Sequence, residues 1–191
     1  MNIHKHKKME IITNEIIKIA SQIIENKGLE NLTIHNLASE LKISETQLYN
    51  QFTKDDDILL MILLFFENEI KESILEFKKI EESPEKELKF LFKRLYVLFM
   101  EKPYYLSIIF DKSLMNRDES INMAISRIKE IVENYFTTLI NKGKLENIFK
   151  TQVPTKSLVD KMLSEFKLLM EDEQYVNDMI LDLKTLKKSK D

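Results

Sequence analysis

The segment from residue 33 to residue 52 constrains the fold of this chain most, because it has the pattern of two short helices separated by a tight break. Thr33 can cap the first helix. Ser44 can cap the second, and Gln47, three residues on, completes a capping-box pattern. Apolar residues mark the inner faces: Leu37, Ala38, Leu41, Ile43, Leu48 and Phe52. Two brief helices this close together are typical of a helix-turn-helix, whose second helix fits the major groove of DNA.

The composition of the whole chain favours an all-α fold. Its 191 residues include only two Gly and three Pro, which leaves few sites for tight turns. There is no Cys, so a disulfide framework and a thiolate metal site are excluded. The first eight residues lack the apolar core of a signal peptide, and the longest apolar run, residues 58–66, is too short to span a bilayer. We therefore expect a cytoplasmic protein without a membrane segment.

The surroundings of the two short helices make the pattern more specific. An amphipathic helix over about residues 9–27 ends before Gly28, and an acidic cluster, Asp55 to Asp57, precedes a long apolar helix over about residues 55–80. In this order the chain resembles the TetR family of bacterial transcriptional regulators over about residues 10–60. The matching elements are Ile19-Ala20, Gly28, Leu32-Thr33, Leu37-Ala38, Ile43-Ser44, Leu48-Tyr49, Phe52 and Ile58-Leu59.

The resemblance implies a two-part, all-α architecture. A three-helix helix-turn-helix DNA-binding domain over residues 1–54 precedes a larger helical ligand-binding and dimerisation domain over residues 55–191. The last two helices, about residues 155–188, would form a four-helix bundle in a homodimer, and residues 44–51 of each subunit would enter a palindromic double-stranded DNA operator. The function implied is that of a repressor released by a small apolar effector, with no cofactor.

Three features depart from the family pattern. Lys42 stands in the turn where Gly is usual, and a non-Gly residue in a left-handed turn costs on the order of 1 kcal/mol, so we expect a differently shaped turn. Asp55 stands where a phosphate-contacting Lys is usual, and Lys54 lies one place earlier. Residues 1–56 carry seven Lys and eight acids, a net charge of −1, whereas DNA-binding modules are usually basic.

The candidate DNA-binding residues fall into two groups. Thr33, Tyr49 and Lys54 are predicted phosphate contacts. Thr33 can cap its helix and also hold phosphate, and the resemblance favours a Tyr49 hydroxyl that faces the DNA backbone over the alternative of a half-buried packed ring. The exposed side of the second helix is predicted to read bases, because Gln and Asn pair with adenine, Thr contacts the thymine methyl and Glu accepts from cytosine. With the cap, these residues are Ser44, Glu45, Thr46, Gln47 and Asn50. An ordinary solvated helix face is the alternative.

An aromatic-rich middle segment is the candidate effector site. Its members are Met61, Phe65, Phe66, Phe92, Tyr96, Phe99, Met100, Tyr104 and Tyr105. For any one of them a packed core is the better interpretation, but together they would give an apolar cavity a few polar and adaptable points. No charged residue among them stands out as an effector counter-ion.

Two other classes of function are alternatives to a DNA-binding regulator. With no Cys, three His and two Gly, the chain has no thiol nucleophile, phosphate loop or dinucleotide fingerprint, which argues against an enzyme. His4 and His6 lack the further ligands of a metal site. The stronger alternative is a TetR-like accessory or ligand-binding protein with weak or lost operator binding. It is supported by the usual Lys and Gly that are missing and by the net charge of −1 on residues 1–56, which we call the head.

Further helices are predicted downstream. Pro84 and Pro103 each begin a helix, and a longer one over about residues 119–141 is expected to end at Gly143. Thr155 is predicted to cap the next helix, and a last helix follows with a basic tail.

Overall fold

A computed structural model describes residues 3–78, 83–166 and 172–185, and all regular structure in these ranges is helical. The α-helices are α1 Ile3–Lys27, α2 Ile34–Leu41, α3 Glu45–Tyr49, α4 Asp55–Lys78, α5 Pro84–Glu101, α6 Tyr104–Ile109, α7 Glu119–Leu145, α8 Thr155–Ser164 and α9 Glu173–Lys184. Short 3₁₀ helices cover Leu29–Asn31 and Lys112–Asn116. None of the helices so described is long and apolar enough to cross a membrane.

The chain divides into two compact units. The first comprises Met1–Glu67 and Lys102–Ser126, and the second comprises Asn68–Glu101 and Arg127–Asp191. Helices α4 and α7 each contribute to both units. The boundary after residue 54 remains a prediction about where DNA binding ends and effector binding begins.

The first unit places the helix-turn-helix on a core formed by α1, the start of α4 and α6. Helix α1 packs against α2 and α6. The apolar stripe of α1, the inner faces of α2 and α3, and the start of α4 are all buried. Their buried residues include Ile16, Ala20 and Ile23 of α1, Leu37 of α2, Leu48 of α3, Phe52, and Ile58 and Ile62 of α4. Phe66 stacks on Tyr105 with ring centroids 4.1 Å apart. This core holds α2 and α3 in fixed positions.

The second unit is a helical assembly of the rest of α4, α5, the rest of α7, α8 and α9. Its aromatic core includes Phe92, which stacks on Phe136 with centroids 5.6 Å apart. Helix α9 packs against α5. The C-terminal end of α9 accepts two hydrogen bonds from the loop before α8. The backbone N–H groups of Lys150 and Thr151 donate to the Leu183 carbonyl at 2.9 and 3.0 Å. Orphan carbonyls at a helix end are thereby satisfied.

The end predicted for α7 at Gly143 is wrong, because the helix continues to Leu145. A Cβ atom on Gly143 would lie 2.1 Å from the ring of Phe149. Phe149 is 2% exposed, and its N–H donates to the Gly143 carbonyl at 2.9 Å. Glycine is required here for close approach, and the chain reverses at Asn147, whose φ is 57°.

Two other predicted boundaries also differ. Helix α1 begins at residue 3 instead of residue 9. Thr155 is the first residue of α8 and not its cap; Pro154 holds the cap position, and the Thr155 hydroxyl donates to Asn141 Oδ1 at 2.7 Å. The predicted end of the fourth helix at residue 80 lies outside the described ranges, as do residues 167–171 and 186–188 of the predicted dimer helices.

Candidate nucleic-acid interface

The turn between α2 and α3 has the left-handed backbone conformation that glycine usually adopts, although a lysine occupies this position. Lys42 has φ 56° and ψ 40°, and its N–H donates to the Ser39 carbonyl at 3.2 Å. The expectation of a differently shaped turn is therefore wrong: a lysine adopts the glycine-like geometry. Leu48 of α3 and Phe52, which follows α3, are buried. Their packing holds α3 in place and offsets the backbone strain at Lys42.

Replacing Lys42 with Gly is expected to raise the free energy of unfolding by about 0.5–1 kcal/mol, because the left-handed strain is removed. Urea denaturation measures this. Asn147→Gly is the matched control, since Asn147 has nearly the same φ of 57° but tolerates it better. A gain at Asn147 equal to that at Lys42, or a loss at Lys42, would contradict the assignment of strain to the turn.

Both predicted caps form in the helix-turn-helix. The Thr33 hydroxyl accepts a hydrogen bond from the Asn36 N–H at 3.1 Å. Gln47 Oε1 accepts from the Ser44 N–H at 3.0 Å and from the Ser44 hydroxyl at 3.2 Å. Because both contacts occupy the carbonyl oxygen of Gln47, its NH₂ group alone remains to face a base. Bidentate pairing with adenine, which needs both ends of the amide, would require this cap to open.

Glu45 is also engaged. Its Oε1 lies 2.7 Å from His35 Nδ1, so a side chain of α2 orients the first residue of α3. Thr46 and Asn50 are exposed, and Tyr49 is 53% exposed. The side chains of these three residues have no hydrogen-bond partner among the described residues. They form the part of the predicted recognition helix, α3, and its C-terminal end that is free to meet a partner.

The cationic groups of the head are largely paired. Lys27 Nζ lies 2.7 Å from Glu40 Oε1, and this hydrogen bond holds the pKa of Glu40 below its usual value. Lys54, the predicted phosphate contact, forms an ion pair with Asp118. Within the described ranges, Lys18 and Lys42 are the head's lysines that have no ion-pair partner. Among the lysines whose side chains the structure describes, few are therefore available to neutralise phosphate.

An acidic side chain occupies the start of α2, the position where Thr33 was predicted to hold phosphate. Asp55 Oδ1 accepts a hydrogen bond from the Ile34 N–H at 2.7 Å. Helix N-termini attract anions through their free N–H groups, and here a carboxylate of the same chain satisfies one of them. Asp57 Oδ2 similarly accepts from the N–H groups of Thr53 and Lys54, at 2.7 and 3.1 Å, and caps α4.

The candidate effector residues are distributed over both units. Met61, Phe65, Phe66, Tyr104 and Tyr105 belong to the first unit. Phe92, Tyr96, Phe99 and Met100 belong to the second. Phe66, Phe92, Phe99, Tyr104 and Tyr105 are buried, whereas Phe65, Tyr96 and Met100 are exposed. Phe92 and Phe99 both contact Phe166, with ring centroids 6.1 and 6.2 Å apart.

An apolar groove in the second unit lies among other residues. It is lined by Ile70, Ser73, Ile74, Leu91, Leu95, Val132 and Tyr135, from α4, α5 and α7. None of these residues is among the effector contacts predicted from the sequence. Tyr135, the largest of them, connects the groove to a polar cluster.

The polar cluster consists of Glu87, Tyr135 and Lys142. The Tyr135 hydroxyl lies 3.5 Å from Glu87 Oε2, and Lys142 Nζ lies 3.2 Å from Glu87 Oε1. Burial, reinforced by the charge of Glu87, raises the pKa of Tyr135, so the hydroxyl is a donor throughout the physiological range. Glu87 is a buried charge beside the groove that was not predicted from the sequence. Its partners are 48 and 55 residues away in the chain, so no local pattern points to it.

The described residues contain no cluster of His, Asp or Glu able to hold a metal ion. The side chains of His4 and His6 are outside the described part of the structure. His35 contacts Glu45, as described above.

The chain is similar to known proteins both in sequence and in structure. The chain matches no profile of a known protein family. It is 25% identical to the nucleoid occlusion factor SlmA of Aliivibrio fischeri (strain ES114) over 133 residues, which are 69% of this chain and 68% of that protein.

Solved structures match more of the chain. A TetR transcription regulator from Haloarcula marismortui superposes with a TM-score of 0.70 and 21% identity, over 88% of this chain and 92% of its own. The transcriptional regulator FadR from Bacillus subtilis, in complex with stearoyl-CoA, has a TM-score of 0.66 and 15% identity, over 87% and 96%. These matches confirm the predicted resemblance and the all-α fold with an N-terminal helix-turn-helix.

Proposed function

We propose that this chain, which has the fold of the TetR-family transcriptional regulators, is a ligand-responsive repressor that binds double-stranded DNA as a homodimer. The observation that carries the proposal is the recognition helix itself. Thr46, Tyr49 and Asn50 are exposed and have no hydrogen-bond partner within the ranges that the structure describes, whereas Leu48 is buried below them. A short helix held by its inner face, with polar side chains left free outside, is suited to the major groove. Such a regulator would act in the cytoplasm.

The homodimer is proposed through the C-terminal helices. The described parts of the predicted bundle are α8 and α9, and α9 exposes Tyr175 by 41% and Leu181 by 61%. An isologous dimer would bury these side chains, and its two-fold axis would match a palindromic operator. Half-sites about one helical turn apart, roughly 34–36 Å, or multiples of that distance, are the corresponding geometry.

The effector is proposed to enter the second unit at the apolar groove. Its mostly aliphatic lining suits an apolar molecule. The complex of FadR with stearoyl-CoA supports an acylated or otherwise hydrocarbon-rich effector. Differential affinity for the two states must drive release; a hundredfold preference corresponds to about 2.7 kcal/mol. Phe92, Tyr96, Phe99 and Met100, the residues of this unit predicted from the sequence as effector contacts, remain candidates for that role.

An accessory or ligand-binding protein with weak or lost operator binding is the second candidate. The specific observation in its favour is the pairing of the head's charges, with Lys27 and Lys54 engaged and Asp55 at the start of α2. The two candidates differ in whether any native DNA is bound selectively.

Binding of the purified protein to its own upstream DNA, measured by fluorescence anisotropy, tests the proposal. Thr46→Ala is expected to reduce selectivity at one base pair, at a cost of about 1–3 kcal/mol for that base. Tyr49→Phe is expected to weaken binding to all duplexes alike, because a phosphate contact carries no sequence information. We choose Thr46 over Gln47 as the test of base reading, because Gln47→Ala would also remove the cap of α3.

Ser39→Ala, an exposed substitution on α2, serves as the control and is expected to leave binding unchanged. If upstream and unrelated DNA bind equally weakly, a screen of native genomic fragments follows. Absence of a selective fragment from that screen would favour the accessory protein.

A further inference from the structure

Two reciprocal ion pairs connect the start of α4 to the residues just before α7, all within the first unit. Lys54 is paired with Asp118, and Arg117 Nε lies 2.7 Å from Asp56 Oδ1. Each segment thus contributes one cation and one anion. We name these four residues the 54–118 clamp. The clamp engages the lysine that would otherwise be the best candidate for a phosphate contact. Lys54 lies one residue before the position at which TetR-family proteins usually carry a phosphate-binding lysine.

We propose that Asp118 is an intramolecular substitute for a DNA phosphate, which keeps Lys54 from the DNA backbone until phosphate displaces it. The inference rests on the proposed DNA-binding function and adds to it a residue that sets affinity. Asp118 lies 64 residues from Lys54 in the chain and is not part of the helix-turn-helix.

The geometry of Asp118 supports this role. Its Oδ1 accepts hydrogen bonds from the N–H groups of Ser120 and Ile121, at 2.8 and 3.3 Å, and so caps α7. Its Oδ2 is left to receive Lys54. The carboxylate is therefore oriented by the helix it caps, and its side chain is only 17% exposed, whereas that of Lys54 is 54% exposed. A preoriented acceptor holds a flexible ammonium group at a lower entropic cost than a mobile one.

The electrostatics agree with the geometry. The hydrogen bond to Asp118 raises the pKa of Lys54, and the same contact lowers the pKa of Asp118. Both groups are therefore fully charged at neutral pH. A phosphate oxygen approaching Lys54 must replace a carboxylate that already neutralises it, so net binding falls to the difference between two similar interactions.

The clamp also connects DNA affinity to the start of α7. Any rearrangement that moves residues 117 and 118 away from α4 would release Lys54 for phosphate, and one that tightens the clamp would weaken DNA binding. Loss of the Lys54–Asp118 ion pair is therefore expected to strengthen DNA binding. If the ion pair merely stabilised the head, its loss would weaken DNA binding instead.

Asp118→Asn is the decisive variant, because Asn keeps an oxygen that can cap α7 but removes the charge that holds Lys54. We expect its affinity for a random-sequence duplex to rise about three- to tenfold, and the slope of log K against log salt to steepen by about 0.9, the value for one added phosphate contact. Lys54→Gln should abolish both gains in the Asp118→Asn background and have little effect alone.

Asp111→Asn is the matched control for net charge. Asp111 likewise caps a helix, since its Oδ1 accepts from the Ser113 N–H at 2.8 Å, and it has no ion-pair partner among the described residues. Its substitution removes the same charge from the same unit and should leave the salt slope unchanged. Thermal denaturation of each variant verifies that the fold is intact.

A second measurement needs no DNA. Acylation of lysine side chains, followed by mass spectrometry, should show the Lys54 amine reacting about threefold faster in Asp118→Asn than in the wild type, because the charged form loses its partner. Lys18 and Lys42 provide internal references in the same digest.

The outcomes separate the two proposals. If the wild type binds upstream DNA selectively and Asp118→Asn binds no better and with no steeper slope, the substitute role of Asp118 is overturned and the regulator stands. Unchanged Lys54 reactivity in Asp118→Asn would also overturn it. If neither protein binds any duplex at low salt, the DNA-binding function fails and the role of Asp118 fails with it.

Discussion

Replacing Asp55 with Lys is expected to raise the affinity for any DNA duplex about 10- to 50-fold at low salt and to steepen the salt slope by about 0.9. The substitution reverses a charge at the start of α2, where the Asp55 carboxylate now accepts a hydrogen bond from the Ile34 N–H. TetR-family sequences usually carry a lysine at this place. The variant therefore tests whether the acidic head, and not the recognition helix, limits binding.

Asp55→Asn separates charge from capping in this experiment. Asn retains an oxygen that can accept from Ile34, so we expect about a threefold rise in affinity and an unchanged salt slope. Asp55→Lys loses the cap and should lower the free energy of unfolding by about 1 kcal/mol. Glu130→Lys, on the exposed face of α7 in the second unit, changes the net charge equally and should not reproduce the gain. An equal gain in Glu130→Lys would show a general charge effect.

The features that could be predicted from the sequence are those set by neighbouring residues. Thr33, Ser44 and Gln47 cap their helices as expected, because a cap depends on a side chain and an N–H two or three residues away. The buried face of α2 follows from helical periodicity, as Leu37 shows.

The features that could not be predicted join residues distant in the chain. Nothing near Asp118 indicates Lys54 as its partner, and nothing near Glu87 indicates Tyr135 or Lys142. These contacts exist because packed helices bring particular faces together, and periodicity identifies a face without identifying its neighbour. The aromatic set shows the same limit, since buried rings and rings lining a cavity have the same spacing along a helix.

Lys42 and Gly143 show that residue type alone can mislead in either direction. Glycine is favoured wherever φ is positive, yet Lys42 adopts φ 56° because the packing of α2 and α3 requires it. Glycine is also favoured at helix ends, yet Gly143 lies within α7, where it leaves room for Phe149. The sequence pattern does not separate a need for backbone freedom from a need for space.

The need for space at Gly143 leads to the second large expected effect. Gly143→Ala should lower the free energy of unfolding by about 2 kcal/mol, although Ala is the better helix former by about 1 kcal/mol. The added Cβ would lie 2.1 Å from Phe149 Cδ2, and the ring is 2% exposed, so neighbouring side chains would have to shift with it. In thermal unfolding this corresponds to a fall in Tm of about 4–8 °C for a chain of this size.

The double variant Gly143→Ala, Phe149→Leu distinguishes steric conflict from any other effect of the alanine. Leu is smaller than the ring and relieves the contact, so the double variant should be more stable than the sum of the single effects by at least about 1 kcal/mol. Additive losses would mean that Phe149 is not the obstacle. A stabilised Gly143→Ala protein would mean that helix propensity outweighs packing, in which case α7 has room for a side chain where the structure places the ring of Phe149. The prediction thus tests whether close packing, and not helix termination, is the reason for glycine at position 143.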